Sequence, residues 1–296
     1  MKFRSTLLVV IAGIALNGPA LGFVVAPGPH VGDTTEITMV RETSQQGDAG
    51  SSGTSHDRDA IVERVIATSE AGVVLEFDLP EEVSPEARAE VWQFPVRVLR
   101  PVHGPFQLLN RPELETRVDD WLKAAKWGRE VCGKWIFTWN AFQIECDPQT
   151  VIATVEAFDL SEEIRSGAAF MEKGARAPGT ITKKADAPEG ATFVVELEVD
   201  PDAVRHARAE SDVIVGEILR KPVMLDAALR ERAKDTISGT ISITFETDLD
   251  GHVRRRTKVT KVETKKSNGH LETEIVTQTL ERRMIAKGSG ARLPTT

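Results

Sequence analysis

Apolar side chains recur at every second position through much of this chain, and that period of two marks strands with one buried face. Val73, Leu75, Phe77 and Leu79 fall on one side of an extended segment; Phe193, Val195, Leu197 and Val199 do so again, as do Ile241, Ile243 and Phe245. Glu36–Thr43 and Asp59–Thr68 read as strands, separated by Ser44–His56, whose polar, Gly/Ser-rich composition predicts a flexible surface loop. Near the C-terminus, Asp250-Gly251 and Asn268-Gly269 are tight-turn pairs that set off Val253–Val262 and Leu271–Leu280 as further strands.

Between these meanders the period changes. Ser84 followed by Pro85 signals a short helix ending near Trp92, and Asn110 is placed to cap a longer one over Pro112–Lys126. Leu114, Val118, Trp121, Leu122 and Ala125 form its apolar stripe. Val151, Val155 and Phe158 follow Asp147-Pro148 at helical spacing, and Asp159 with Glu162 resembles a capping box for a turn of helix over Ser161–Ser166. Asp200-Pro201 opens a helix to about Arg220, Pro222 breaks it, and a second helix runs to about Lys234. The expected fold class is α+β, with antiparallel β-meanders at both ends packed with several short-to-medium helices and a disulfide-closed hairpin. The expected division is a signal peptide over 1–22, an N-terminal α+β region over 23–173, a linker-like loop over 174–190 and a C-terminal α+β region over 191–296, the last continuous with the first in the simplest arrangement.

The hairpin is read from Val131 to Pro148, which holds both cysteines of the chain. Trp135, Phe137 and Trp139 alternate with Lys134, Ile136 and Thr138, and a turn at Asn140-Ala141 brings Cys132 opposite Cys146. Two lone cysteines without a neighbouring histidine make poor zinc ligands, so a disulfide is the expected pairing. The aromatic residues Trp135, Phe137 and Trp139 are read first as core and second as a contact for an apolar ligand.

Composition adds an address. Lys2 and Arg4 precede the apolar run Leu7–Leu16, and small residues close it at Ala20–Gly22, the layout of a secretory signal peptide with cleavage near Gly22–Phe23. No cysteine follows that run to take a lipid anchor, and no segment of the mature chain has the length of a transmembrane helix. A paired cysteine set suits an oxidising compartment, so the expected location is periplasmic or secreted. The net charge of −8 argues against a nucleic-acid partner, although Gly251–Thr296 carries eleven Lys/Arg against four Asp/Glu.

Within that basic end, Arg254, Arg256 and Lys258 are expected on one strand face, as a patch for an anionic surface or an acidic partner, weighed against a solvated edge that merely discourages aggregation. The six histidines lack HxH, HxxxH and HExxH spacing, so no metal site is expected. GxSxG, SxxK, Walker and GxGxxG patterns are also missing, so no catalytic residue and no cofactor is assigned. The functional expectation is an exported, non-catalytic module that binds an envelope protein or an apolar ligand such as lipid. The alternative is a glycan-directed hydrolase of unfamiliar pattern, using carboxylates near the Trp-rich hairpin. Oligomeric state has no sequence signal.

Mass spectrometry of exported protein is expected to find a chain beginning near Phe23, two hydrogens lighter than the reduced sequence and inert to alkylation without reductant. Free thiols, or a retained Met1–Gly22, would refute the address.

Overall fold

The computed structural model describes residues 28–48, 50, 52–137 and 141–285. The expected signal peptide (1–22), Trp139 and the turn residue Asn140 lie outside these residues.

The first wing of the fold is a meander of β1 (Thr34–Gly47), β2 (Ser52–Ser69), β3 (Gly72–Asp78), β4 (Val96–Pro101) and β5 (Gln107–Leu108), with α1 (Pro85–Ala89) between β3 and β4. The middle of the chain supplies α2 (Arg111–Ala124), the short hairpin β6 (Trp135–Phe137) and β7 (Ala141–Gln143), α3 (Val151–Glu156), and a second small pair, β8 (Ala169–Phe170) and β9 (Gly179–Thr180). The second wing holds β10 (Thr182–Ala187), β11 (Gly190–Glu198), β12 (Thr236–Thr247), β13 (Val253–Lys265) and β14 (Leu271–Met284). Two helices, α4 (Pro201–Ile218) and α5 (Leu225–Arg232), lie between β11 and β12.

Both wings join in one ten-stranded antiparallel sheet of order β10-β11-β12-β13-β14-β1-β2-β3-β4-β5. The first and last strands therefore pair in the middle of the sheet, and joining the chain ends would give an unbroken meander. The α+β expectation holds in its parts, but the sheet dominates and the helices are its cover. The stretch 174–190, expected as a linker-like loop, instead carries β9 and β10, and strands from both sides of it share the sheet.

One face of the sheet is covered. Ile61, Leu75, Phe77, Val96 and Val98 from the first wing and Val195, Leu197, Ile241, Ile243 and Phe245 from the second are buried in one cluster with residues of α2, α3 and the disulfide segment. Leu114, Val118 and Leu122 present the predicted stripe of α2 to this core, and Val151 and Val155 do the same from α3. Burial of a Leu or Phe side chain stabilises by about 1.5–3 kcal/mol, so this contiguous cluster is the main cohesive term. The other face stays open. Thr257 and Thr279 lie opposite each other there, near Val40, Val259 and Thr277, all half-buried against their neighbours in the sheet.

Caps follow the sequence with one exception. Ser84 accepts from Ala87 N, Asp147 from Gln149 N and Asp200 from Asp202 N, each tying down a free helix-end N–H. Asn110 makes no such bond. Its buried side chain accepts from Arg97 N at 2.9 Å and donates to Pro95 O and to Glu113, so it ties the start of α2 to β4. The helix expected over Ser161–Ser166 does not form; Asp159 accepts from the backbone N and the hydroxyl of Ser161 in a turn. The loop expected over Ser44–His56 is strand on both sides of a short connection, since β1 continues to Gly47 and β2 begins at Ser52. Both faces of that arm are exposed, so no buried side imposes a period of two.

Cys132 and Cys146 are joined, with Cα atoms 5.6 Å apart and a sequence separation of 14. Closing a loop of this size removes about 3 kcal/mol of unfolded-state entropy. Replacing both cysteines by serine is expected to lower the unfolding free energy by about that amount in a urea titration; an unchanged midpoint would show that the bridge contributes nothing.

Candidate functional site

The disulfide anchors its hairpin to the core through Cys146, Ile144 and Ile136, and Trp135 is not part of that cluster. Trp135 pairs with Gln143, Ile136 with Phe142 and Phe137 with Ala141, so Ala141, expected in the turn, belongs to β7. Alternation sends Ile136 and Trp135 to opposite sides. Ile136 packs on the core while Trp135 is half-buried on β6, which lies beside α4. Phe137 closes β6, and Trp139 lies outside the described residues. The acids nearest this hairpin are engaged with backbone and neighbours: Glu145 accepts from Cys146 N and Asp147 N, and Asp147 accepts from Gln149 N and pairs with Arg111 at 3.2 Å.

The basic strand is placed differently from its expected pattern. β13 pairs with β12 through a register shift at Glu246/Thr247, so that Arg255 faces Glu246, Val253 faces Thr247, and Arg254 is the extra residue between. Bulges of this kind commonly follow a Gly-containing hairpin loop, and Asp248 here accepts from both Asp250 N and His252 N across Gly251. The shift reverses the alternation. Val253 therefore shares the covered face with Arg256 and Lys258, while Arg254 is exposed and 3.6 Å from Glu246. The three cations do not form one face.

Arg256 and Lys258 instead meet Glu172, which reaches them from the segment between β8 and β9. Glu172 bonds Arg256 Nη2 and accepts from Lys258 Nζ at 3.1 Å, and its residue is 8% exposed. Arg256 lies 5.9 Å over the ring of Phe245, which Phe170 meets edge-on at 5.4 Å. Farther across the covered face, Arg100 on β4 stands 3.6 Å from Asp159, and Arg282 on β14 stands 3.9 Å from Glu63 on β2. The result is a layer of alternating charges between the middle of the sheet and the strap 157–181.

Glu63 is the most deeply buried acid of the layer. Desolvation raises its pKa above the ordinary 4.5, with Asp159 reinforcing the shift and Arg100 and Arg282 opposing it. Glu162, at the exposed rim, is raised in the same direction by desolvation, against the pull of Arg256. Sequence reasoning missed Glu63, Glu172, Arg100 and Arg282 as members of one site, because they are brought together only by strand order.

A polar surface cleft of about 610 Å³ lies where α4 begins and α5 ends, lined by Arg176, Asp202, Arg205, Lys234 and Asp235. One of about 390 Å³ lies between β1, β2 and β14 near Glu42 and His56. Asp248, Asp250 and His252 could bring three ligand atoms together at the β12–β13 turn, but two of the three are exposed and hydrogen bonds within the turn account for the arrangement.

No protein-family model matches the chain, and no curated protein does. Among solved structures, lipovitellin, described for its lipid–protein interactions, is similar at a TM-score of 0.42 and 8% identity, over 90% of this chain; the match spans 27% of lipovitellin. Ail, the attachment invasion locus protein of Yersinia pestis, aligns at 0.17 and 5% identity, over 86% of this chain and 100% of its own. An outer membrane channel from Pseudomonas putida F1 aligns at 0.21 and 6%, over 87% and 98%. All three scores are low, and none of the three carries an argument about this chain. No helix of the described residues is long and apolar enough to cross a membrane.

The charge layer has a pH signature. A carboxyl whose pKa is raised by folding stabilises fully below about 4.5 and loses that contribution as pH rises through its native value. Glu63→Gln should therefore gain stability relative to the parent as pH climbs from about 4 towards 8, measured by urea unfolding at each pH. A constant difference, or a parent that gains with pH, would contradict the burial of Glu63.

Proposed function

We propose that this chain is an extracytoplasmic module that binds a partner of the cell envelope through its surface and carries out no chemistry of its own. The observation that supports this most is the use made of the covered face. An apolar-ligand carrier needs that face to enclose empty apolar volume; here it holds packed side chains and, at its centre, the Glu172–Arg256–Lys258 and Glu63–Arg282 groups. Lipid, if it is the partner, is then met from outside.

The same layer weakens the glycan-hydrolase reading. Paired carboxylates act as acid and base when they face a substrate across an opening, whereas Glu172 is held by two cations and the acids beside the Trp135 hairpin are bonded to backbone N–H groups or Arg111. The disulfide and the leader-like start support a place outside the cytoplasm.

Mature protein mixed with envelope membranes of its host is expected to sediment with them, to show the bare chain mass in native mass spectrometry, and to release no reducing ends from peptidoglycan. A stoichiometric lipid in the native mass would restore the carrier reading. Sugar release would restore the hydrolase, and failure to sediment would remove envelope binding.

A further inference from the structure

The elbow joining α4 to α5 is built against the usual rules for a surface. α4 ends at Ile218 with two reverse bonds, Arg220 N to Glu217 O at 3.0 Å and Lys221 N to Gly216 O at 2.8 Å, the double closure of a Schellman motif. The residue that such a motif places in the left-handed region is usually glycine; here it is Arg220, at φ 54°. The chain then folds back so closely that a side chain on Gly216 would meet Lys221 O at 2.8 Å. Pro222 fixes the next backbone angle. A tight, pre-shaped tip results.

Every residue from Leu219 to Met224 is exposed. Leu219 shows 62% and Met224 76% of its surface, and Val215 and Val223 extend the apolar area. Arg220 and Lys221 stand among them without an ion-pair partner among the described residues, although the chain as a whole is acidic and most other arginines are paired. Arg232 in the adjoining α5, for example, makes two bonds to Asp212. Strained backbone in a non-glycine residue is a pointer to function when it fixes a side chain in place.

We infer that this elbow docks on an anionic lipid surface, with Leu219, Val223 and Met224 entering the headgroup region and Arg220 and Lys221 meeting phosphates. Apolar side chains flanked by unpaired cations are the composition of interfacial membrane segments. Self-association fits poorly, since a second elbow would bring Arg220 and Lys221 against their own copies. The inference deepens the envelope-binding reading and rests on it for the location of the protein.

The test uses the full mature chain and vesicles of phosphatidylcholine, alone or with about a third phosphatidylglycerol, since anionic headgroups attract each basic residue near the surface. Binding is expected to the anionic vesicles only, and to weaken as salt rises, because screening shortens the reach of the charges. Arg220→Gln with Lys221→Gln should weaken it by roughly 25-fold, at about fivefold per basic residue near the surface. Leu219→Ser with Met224→Ser should abolish it. Arg220→Gly serves as the control for folding: it relieves the positive φ, so thermal stability should hold or rise while vesicle binding falls. Equal binding to neutral vesicles, or full binding by folded charge variants, would overturn the inference, as would a dimer that Met224→Ser dissolves. Elbow variants that still sediment with host envelope membranes would remove the elbow and leave the function in the preceding subsection standing.

Discussion

The pairing of β1 with β14 holds the molecule together, because it is the point where the two ends of the chain become one sheet. Their register runs from Thr35 opposite Met284 to Gly47 opposite Glu272 without a shift. Within each wing, strands pair with sequence neighbours, through turns or, between β3 and β4 and between β11 and β12, through helical excursions. The seam alone joins segments more than two hundred residues apart, yet loop-closure entropy grows so slowly that this costs only about 2 kcal/mol more than closing a loop of some twenty residues. Everything on the covered face depends on it. Without the seam, Arg282 would not stand near Glu63, and the strap could not close over both wings at once.

The charge layer follows from that geometry. β13 and β14 place Arg256, Lys258, Gln278 and Arg282 on the covered face beside Val253, Leu280 and, from β1, Ile37, whereas the strands to either side place mainly Val, Leu, Ile and Phe there. A wholly apolar centre would have been easier to bury, since ion pairs taken out of water recover their hydration with difficulty. What the charges add is specificity. Glu172 fits against Arg256 and Lys258 in one place only, so the strap 157–181 is held in register by partners on a strand more than eighty residues away. Phe170 against Phe245 then supplies apolar contact beside it.

What could be read from the sequence divides along the same physical line. Strands with one wet and one dry face were legible, and Leu75, Phe77, Val195 and Ile243 lie in the core as their alternation implies. The arm from Ser44 to His56 was not, because a strand exposed on both faces has the composition of a loop. β10 hid for the same reason: all of Thr182–Ala187 is exposed. The bulge at Arg254 defeated the face assignment of the basic run, since one inserted residue reverses the parity of all that follow. Trp135 misled by size: it looked like core, but the register gives that place to Ile136. The partners of the charge layer lay beyond any local pattern, and the elbow carried only the signal of an arginine and a lysine before a proline.

The sheet has edges that could recruit a partner by adding a strand, and each is blunted. β5 is two residues long, and β10 carries Lys183 and Lys184 and pairs irregularly with β11 between Lys183 and Ala185. Along β2 beyond the reach of β3, the outer edge carries His56, Asp57, Arg58 and Asp59. Short strands, lysines and irregular pairing are the devices that keep edges from extending. A strand-adding partner would therefore meet charge, irregularity or a very short strand along these borders. The helical elbow offers no strand edge to extend; it presents bare apolar side chains beside Arg220 and Lys221 in a fixed turn, in keeping with the proposal that recognition falls to the helices and scaffolding to the sheet.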